Sequence, residues 1–182
     1  MLMSALLLRF ELSSKPDGQT MRRPRNLTAT ITFCILLCSS PAITQAADCE
    51  DATAQHMVGE ALLAAHLVAG TEKAGMRPSE INAILESIAA KSAIQEFWIT
   101  DSAGHVYLTN TGVNFTFSPD PAKQPQASAF WPLLTGEKQI VIQEIRRREI
   151  DDRAFKYVGV SGVDKPRIVQ IGVAAERVPV CK

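Results

Sequence analysis

The order of periodic segments along the chain restricts its fold more than any other feature. Apolar residues recur at helical spacing over residues 51–69 and again over residues 78–93, which predicts two helices. Stretches of strand-like composition follow, two flanking residues 101–104 and three after Gly136. Helices followed by a block of antiparallel strands are typical of an α+β domain. We therefore expect N-terminal helices packed on a central five-stranded antiparallel sheet.

Turn residues mark where these segments begin and end. Gly70 is expected to stop the first helix, and Ser79 is expected to cap the second. Between the first two strands lies the sequence Asp-Ser-Ala-Gly, in which Gly104 is free to adopt a positive φ. The next segment, "NFTFSPDPAKQPQASAFWPLLTG", is too rich in proline for the interior of a sheet. Its last part, residues 126–134, predicts a short helix that ends at Gly136.

A secretory signal precedes these segments. Residues 21–25 form a basic run, residues 27–37 are mostly apolar, and residues 41–47 are small and end the signal with Thr-Gln-Ala. This pattern predicts a signal peptide cleaved after Ala46. The alternative is an uncleaved N-terminal anchor, although the apolar run is short for a membrane span.

The signal divides the chain into three parts. Residues 1–20 carry charges and a proline that do not belong in an export signal, so we expect translation to start at Met21. Residues 21–46 are the predicted signal peptide, and residues 47–182 are expected to form one periplasmic or secreted domain.

Two cysteines lie near the ends of the predicted mature domain. Cys49 and Cys181 would meet an oxidising compartment after export, where such a pair predicts a disulfide that joins the termini. Two free or intermolecular thiols are the alternative. No C-x-x-C motif is present in the sequence, so nothing indicates thioredoxin-like redox chemistry.

Three segments of the domain resemble a known family. They are "FWITDSAGHVYLTN", "FTFSPDP" and the stretch from "FWPLLTGEKQIVIQEI" to "KYVGVSGVDKPRIVQIGV". Together they resemble the extracytoplasmic sensor domains of the Cache group, which are related in fold to PAS domains and form the ligand-binding regions of bacterial chemoreceptors and sensor kinases. The resemblance covers residues 95–174, and the preceding helices agree in order and type. The D-x-x-G-x-x-x-x-T-N hairpin and the closing strands carry most of it.

The resemblance implies a function as well as a fold. It implies a long N-terminal helix, a central antiparallel sheet, and a ligand pocket between the sheet and the loop-helix segment that joins the second and third strands. Family members are typically followed by a transmembrane helix and a signalling module, whereas this sequence ends at Lys182. We therefore expect a periplasmic binding or accessory protein that serves signal transduction, as in chemotaxis, without catalysis. Its partners would be a membrane-bound receptor or sensor kinase, and a second copy through the N-terminal helix.

The resemblance also implies that four residues share the ligand pocket: Tyr107, Trp131, Arg148 and Tyr157. They offer aromatic walls, hydroxyl groups and one cation, which suits a small carboxylate or an amino-acid-like ligand. Strand alternation predicts that Arg148 lies on the face opposite Gln143. The alternative for this arginine is a solvated strand end paired with Asp151 and Asp152. For Trp131 the alternative is core packing.

Other classes of function find less support. Lys and Arg together number 19, as do Asp and Glu, so no overall basic field favours nucleic acid. His56 and His66 are about 15 Å apart along a helix and His105 stands alone, so we expect no metal and no cofactor. Two rival interpretations remain, namely an enzyme whose site is unrecognised and a structural or protein-interaction module with a filled pocket. A polar-lined cavity of about 300 Å³ would favour binding over the filled module.

Overall fold

Helices and one antiparallel sheet form the part of the chain that the computed structural model describes, residues 43–179, with side chains described for residues 52–179. These residues belong to one compact unit, Ser40–Lys182. In chain order the elements are α1 Ile43–Lys73, α2 Pro78–Ala89, β1 Glu96–Thr100, β2 Val106–Thr109, α3 Pro132–Thr135, β3 Ile140–Ile142, β4 Arg146–Arg147, β5 Ala154–Ser161 and β6 Ile168–Ala174. Residues 21–42 of the predicted signal peptide and the side chains of Cys49 and Cys181 lie outside the described part, so export and the disulfide stay predictions.

The first helix is longer than the sequence predicts. Gly70 lies inside α1, so the prediction that it stops the helix is wrong. The helix ends instead at Lys73, and Gly75 follows with a left-handed φ of 78°. There the N–H of Gly75 donates to the carbonyl of Glu72 at 2.9 Å, and the N–H of Met76 donates to the carbonyl of Thr71 at 3.1 Å. This Schellman pattern satisfies the last carbonyls, and it turns the chain toward α2.

Arg77 is the N-cap of the second helix, so the prediction of Ser79 in that role is wrong. Glu80 accepts a hydrogen bond from the backbone N–H of Arg77 at 2.8 Å and another from its guanidinium at 3.1 Å. A glutamate at this third helical position reaches back to the N-cap in the same way as in a capping box. Ile81 and Leu85 then face the core, and the helix ends at Ala89, before the predicted residue 93.

The strands run in the order β2-β1-β6-β5-β3, with β4 also paired to β5, and every pairing is antiparallel. The prediction of an α+β fold with an antiparallel sheet is confirmed. The sheet has six strands and not five, because the predicted third strand is divided into β3 and β4. A third helix, α3, lies between β2 and β3, so the helices are not all N-terminal. It ends at Gly136 as predicted, where φ is 80°.

One extra residue in the edge strand explains that division. Ile142 pairs with Val158, and Arg146 pairs with Phe155. Between these two pairs the edge strand advances by four residues, whereas β5 advances by three. Such a bulge interrupts the ladder and shifts the alternation of the side chains by one position. It places Arg148 on the same face of the sheet as Gln143, where regular alternation predicts the opposite face.

Two apolar clusters cover the two faces of the sheet. The helix side is the face on which α1 and α2 pack, and its cluster includes Ile99, Val158 and Ile171. The loop side is the face covered by residues 113–135, and its cluster includes Phe130 and Tyr157. Gly159 allows that close cover, since a Cβ there would lie 2.6 Å from the ring of Phe130.

Candidate functional site

The β1–β2 turn forms as the sequence predicts, and it seats Trp131. Asp101 Oδ1 accepts hydrogen bonds from the N–H groups of Ala103 at 2.9 Å and His105 at 3.0 Å. Gly104 has a φ of 83°, and a Cβ at this position would lie 2.8 Å from the indole of Trp131. Trp131 therefore packs against the turn and against the apolar cluster on the loop side, in agreement with the alternative interpretation of this residue.

A buried carboxylate is the centre of the polar groups on the loop side. Glu96 begins β1, and its side chain is 7% exposed. Its Oε2 accepts hydrogen bonds from Tyr157 Oη at 2.8 Å and from Trp98 Nε1 at 3.0 Å. Its Oε1 accepts a hydrogen bond from Nη1 of Arg148. A buried charge is tolerated when a countercharge and hydrogen bonds satisfy it, and Glu96 has both.

The guanidinium of Arg148 lies between two carboxylates. Its side chain is 9% exposed, with Glu96 on one side and both oxygens of Asp151 on the other. The Cζ atom lies 4.4 Å from the centroid of the Phe155 ring. The hydrogen bonds with Asp151, followed by those with Tyr157 and Glu96, raise the pKa of Arg148. The expected pairing with Asp151 is present, but the arginine is buried and not a solvated strand end.

Neighbouring strands hold Tyr157 against Glu96. Tyr157 lies opposite Gly172 in the β5–β6 ladder, and a Cβ at Gly172 would lie 2.5 Å from its ring. The ring also stacks on Phe155, with centroids 5.4 Å apart. Burial and the adjacent charge of Glu96 raise the pKa of the Tyr157 hydroxyl, so it remains a proton donor at neutral pH.

Three glutamines add neutral polar groups to the same face. Gln126 Nε2 donates to Gln143 Oε1 at 2.7 Å, and Gln143 Nε2 donates to the backbone carbonyl of Gln126 at 3.0 Å. Gln170, from β6, is 3% exposed, and its Nε2 has no hydrogen-bond partner. A buried amide donor without an acceptor is uncommon in proteins and costs free energy.

Cavities adjoin both sides of the sheet, and their sizes differ. The loop-side cavity, lined by Trp98, Phe115, Gln126, Arg148, Tyr157 and Gln170 among others, measures about 10 Å³. That is room for about one water molecule. An outer cavity of about 180 Å³ is lined by Gln126 and the run Arg146, Arg147, Arg148, Glu149. A groove of about 340 Å³ lies on the helix side, lined mainly by apolar residues such as Leu63, Ile88 and Phe97.

The structure does not bring the four predicted site residues into one cavity. Arg148 and Tyr157 both line the loop-side cavity, whereas Trp131 packs on the turn. Tyr107 lies on the helix side, where its hydroxyl contacts Glu72 and accepts from Arg167 Nη1 at 2.7 Å. The expectation of a shared cavity is therefore wrong for Tyr107 and Trp131. The ligand-binding roles themselves stay predictions.

A second bulge explains the position of Tyr107. Ile99 pairs with Leu108 and Thr100 pairs with Val106, so Tyr107 is the extra residue of β2. It contacts the helix-side cluster together with Leu108, instead of alternating with it. A single inserted residue thus moves this side chain to the other face of the sheet.

Sequence reasoning missed Glu96, Trp98 and Gln170. One signal was available, because Glu96 and Trp98 are two residues apart in a strand and must share a face. From the sequence alone, however, a charged residue at the start of an apolar strand is interpreted as a solvated strand end. Only the burial of Glu96 and its hydrogen-bond partners reveal its role.

We compared the chain with models of protein families and with curated proteins, and neither comparison gives a match. Within residues 52–179, no group of three or more His, Cys, Asp or Glu side chains is arranged to hold a metal ion. In the described part of the chain, no helix is both long and apolar enough to cross a membrane.

Proposed function

We propose that the chain is an exported, Cache-like sensor domain that binds a small carboxylate or an amino-acid-like ligand on the loop side of its sheet. It acts in signal transduction without catalysis, and it passes the signal to a membrane-bound receptor or sensor kinase. Three features support this proposal, namely the long first helix, the central antiparallel sheet, and the cover of residues 113–135 between β2 and β3.

One observation carries the proposal. Donors from three strands and from the residue that follows β4 meet beneath the cover: the indole N–H of Trp98, the guanidinium of Arg148, the hydroxyl of Tyr157 and the amide of Gln170. The first three are satisfied by Glu96, but the Gln170 amide has no acceptor. An acceptor group brought by a ligand would satisfy that donor, and the guanidinium favours an acceptor with negative charge.

The site is closed in this conformation. A space of about 10 Å³ admits no organic ligand, whereas ligand pockets measure about 300 Å³ or more. Binding therefore requires movement of the cover or of the β4–β5 turn. The outer cavity of about 180 Å³ shares Gln126 and Arg148 with the closed site, and it is the entrance in this proposal.

Gln170→Leu tests the proposal without breaking an ion pair. We expect the free energy of unfolding to stay equal or rise, because the variant removes an unpaired buried amide. Affinity should fall about tenfold, since a ligand hydrogen bond is worth about 1.4 kcal/mol. The ligand is identified by mass spectrometry of molecules retained by natively purified protein, and affinity is measured by calorimetry. Arg148→Ala is a poorer test, since it leaves Glu96 buried without its cation.

Gln139→Leu is the matched control, because Gln139 is exposed. It should leave both affinity and stability unchanged. A protein that retains no small molecule, and whose unfolding temperature no amino acid or small carboxylate raises, would contradict the proposed function.

A second candidate is a protein-interaction module, which the filled loop-side cavity favours. In this alternative the helix-side groove receives a second copy of the chain through α1, where Leu63 is 72% exposed and Leu62 is 38% exposed. Exposed leucines beside an apolar groove are typical of an interface. Leu63→Asp should then convert a dimer to a monomer in sedimentation experiments, and a parent protein that is monomeric at high concentration would exclude this alternative.

A further inference from the structure

The Asp151 carboxylate occupies the edge of Arg148 that faces away from Glu96. Arg148 Nε donates to Asp151 Oδ1 at 2.5 Å, and Nη2 donates to Asp151 Oδ2. This two-point contact is the geometry in which arginine binds any free carboxylate. Nη1 is directed to Glu96. Both edges of the cation are therefore occupied by side chains of the protein itself.

The two carboxylates differ in how firmly they are held. Glu96 is in β1, is 7% exposed, and has two further donors, Trp98 and Tyr157. Asp151 is 36% exposed and lies in the turn between β4 and β5. Within the same turn, the N–H of Arg153 donates to Asp151 Oδ1 at 3.1 Å. Asp151 is the carboxylate that can leave.

We propose that Asp151 is an internal substitute for the ligand carboxylate: it occupies the Nε and Nη2 edge of Arg148 in the closed site, and a ligand carboxylate takes its place. This inference rests on the proposed function and deepens it. The ligand class is a small molecule with one free carboxylate, presented to Arg148 from the outer cavity.

The turn that carries Asp151 lies at the edge of the sheet, after β4. Asp152 has a φ of 61°, which is left-handed and uncommon for a residue other than glycine. β4 has two residues, and it contacts the sheet only at its edge. The Arg147–Asp152 ion pair, at 2.8 Å, is exposed on both sides and adds little stability. When Asp151 leaves the guanidinium, two backbone hydrogen bonds remain within the turn, from the N–H of Arg148 to the carbonyl of Arg153 at 3.0 Å and from the N–H of Asp152 to the carbonyl of Arg148 at 3.1 Å.

The same turn also holds the cover. Glu149 Oε1 accepts hydrogen bonds from the N–H groups of Gln126 at 2.6 Å and Ala127 at 3.1 Å, at the start of the helical part of the cover. Asp151 is two residues from Glu149 in the sequence, so displacement of Asp151 also moves the backbone close to Glu149. The exchange of one carboxylate for another therefore connects ligand binding to the opening of the cover, which a partner protein can detect.

Asp151→Asn tests the inference, with Glu86→Gln as the control of equal charge change, because Glu86 is exposed on α2. Acetate, propionate, succinate and the L-amino acids are each titrated into the parent and both variants by calorimetry. We expect Asp151→Asn to bind its best carboxylate at least tenfold more tightly than the parent, because the competing charge is gone. Glu86→Gln should bind as the parent does.

Equal affinity in the parent and Asp151→Asn, or weaker binding by the variant, would overturn the inference and leave the proposed function standing. If none of these compounds binds any of the three proteins, the proposed function fails together with the inference. Hydrogen exchange of the parent gives an independent measurement that needs no variant. The amides of Asp152 and Arg153 should exchange faster at a saturating concentration of the bound carboxylate, and unchanged or slower exchange there would also overturn the inference.

Discussion

One cluster of glutamate, tyrosine, arginine and aspartate lies on each face of the sheet. On the helix side the members are Glu72, Tyr107, Arg167 and Asp164, and on the loop side they are Glu96, Tyr157, Arg148 and Asp151. In both clusters the arginine pairs with a glutamate from a distant element and with an aspartate three residues away in a turn. The same groups thus meet twice in one small domain.

The surroundings of the two clusters differ. The helix-side cluster joins three elements, since Glu72 ends α1, Tyr107 is in β2 and Arg167 precedes β6. Among the side chains of residues 52–179, each face has one unpartnered buried donor, Arg167 Nε and Gln170 Nε2. Gln170 and Arg148 line a cavity, whereas Arg167 lines none of the three cavities described above. The comparison teaches that composition alone does not separate a structural cluster from a candidate site, because the difference lies in the adjacent space.

The largest expected effect is on stability, and it comes from a substitution that breaks the helix-side cluster. Arg167 is 1% exposed, and its loss leaves Glu72 and Asp164 without their shared cation. Arg167→Ala should lower the free energy of unfolding by about 3 kcal/mol. Urea denaturation measures this value, and the exposed Arg177 supplies the control, Arg177→Ala, which should change it little. Ligand affinity per folded molecule should stay at the parent value, and a loss of affinity would give the helix side a role in binding.

A matched pair of smaller changes compares the two faces directly. Tyr107→Phe and Tyr157→Phe each remove one hydroxyl that contacts a glutamate. Both should lower the free energy of unfolding, by about 2 kcal/mol each, because hydrogen bonds to charged groups are stronger than neutral ones. Calorimetry should show weaker ligand binding for Tyr157→Phe alone. Equal losses of affinity in the two variants would mean that the faces do not differ in function.

The fold was largely predictable because its signals are local. Helical spacing identified α1 and α2, and Asp101 with Gly104 identified the hairpin turn. The helix ends were less predictable, since Gly70 and Gly75 are both glycines and only Gly75 takes a positive φ. The division of the third strand was not predictable, because a bulge depends on the partner strand and leaves no clear trace in the sequence.

The candidate site was predictable only in part, for the same reason. Alternation assigns side chains to faces only while the register holds, and bulges shift it near Tyr107 and again before Arg148. The sequence does place Arg148 and Tyr157 in neighbouring strands. It gives no sign that Glu96 lies between them, since the pairing of β1 with β6 and of β6 with β5 is determined by the whole sheet.

The smallest expected effect concerns stability at acid pH, and it arises from Glu72 in the helix-side cluster. Burial raises the pKa of Glu72, but hydrogen bonds from Tyr107, Arg167 and Lys165 outweigh it and lower the pKa to about 2. The unfolded value is 4.5, so the folded state binds this proton less readily than the unfolded state does. The stabilisation is fully present above pH 4.5 and is lost as the pH falls toward 2.

This loss should amount to about 1 kcal/mol after screening by solvent is taken into account. Because other carboxylates also titrate in this range, the quantity to measure is the difference in free energy of unfolding between the parent and Glu72→Gln, by urea denaturation at several values from pH 6 to pH 2. That difference should shrink as the pH falls, because protonated Glu72 and glutamine are both neutral. A difference that stays constant down to pH 2 would show that the cluster does not depend on the charge of Glu72. Its stability would then come from packing around Tyr107 and Arg167, and the resemblance between the two clusters would not extend to their electrostatics.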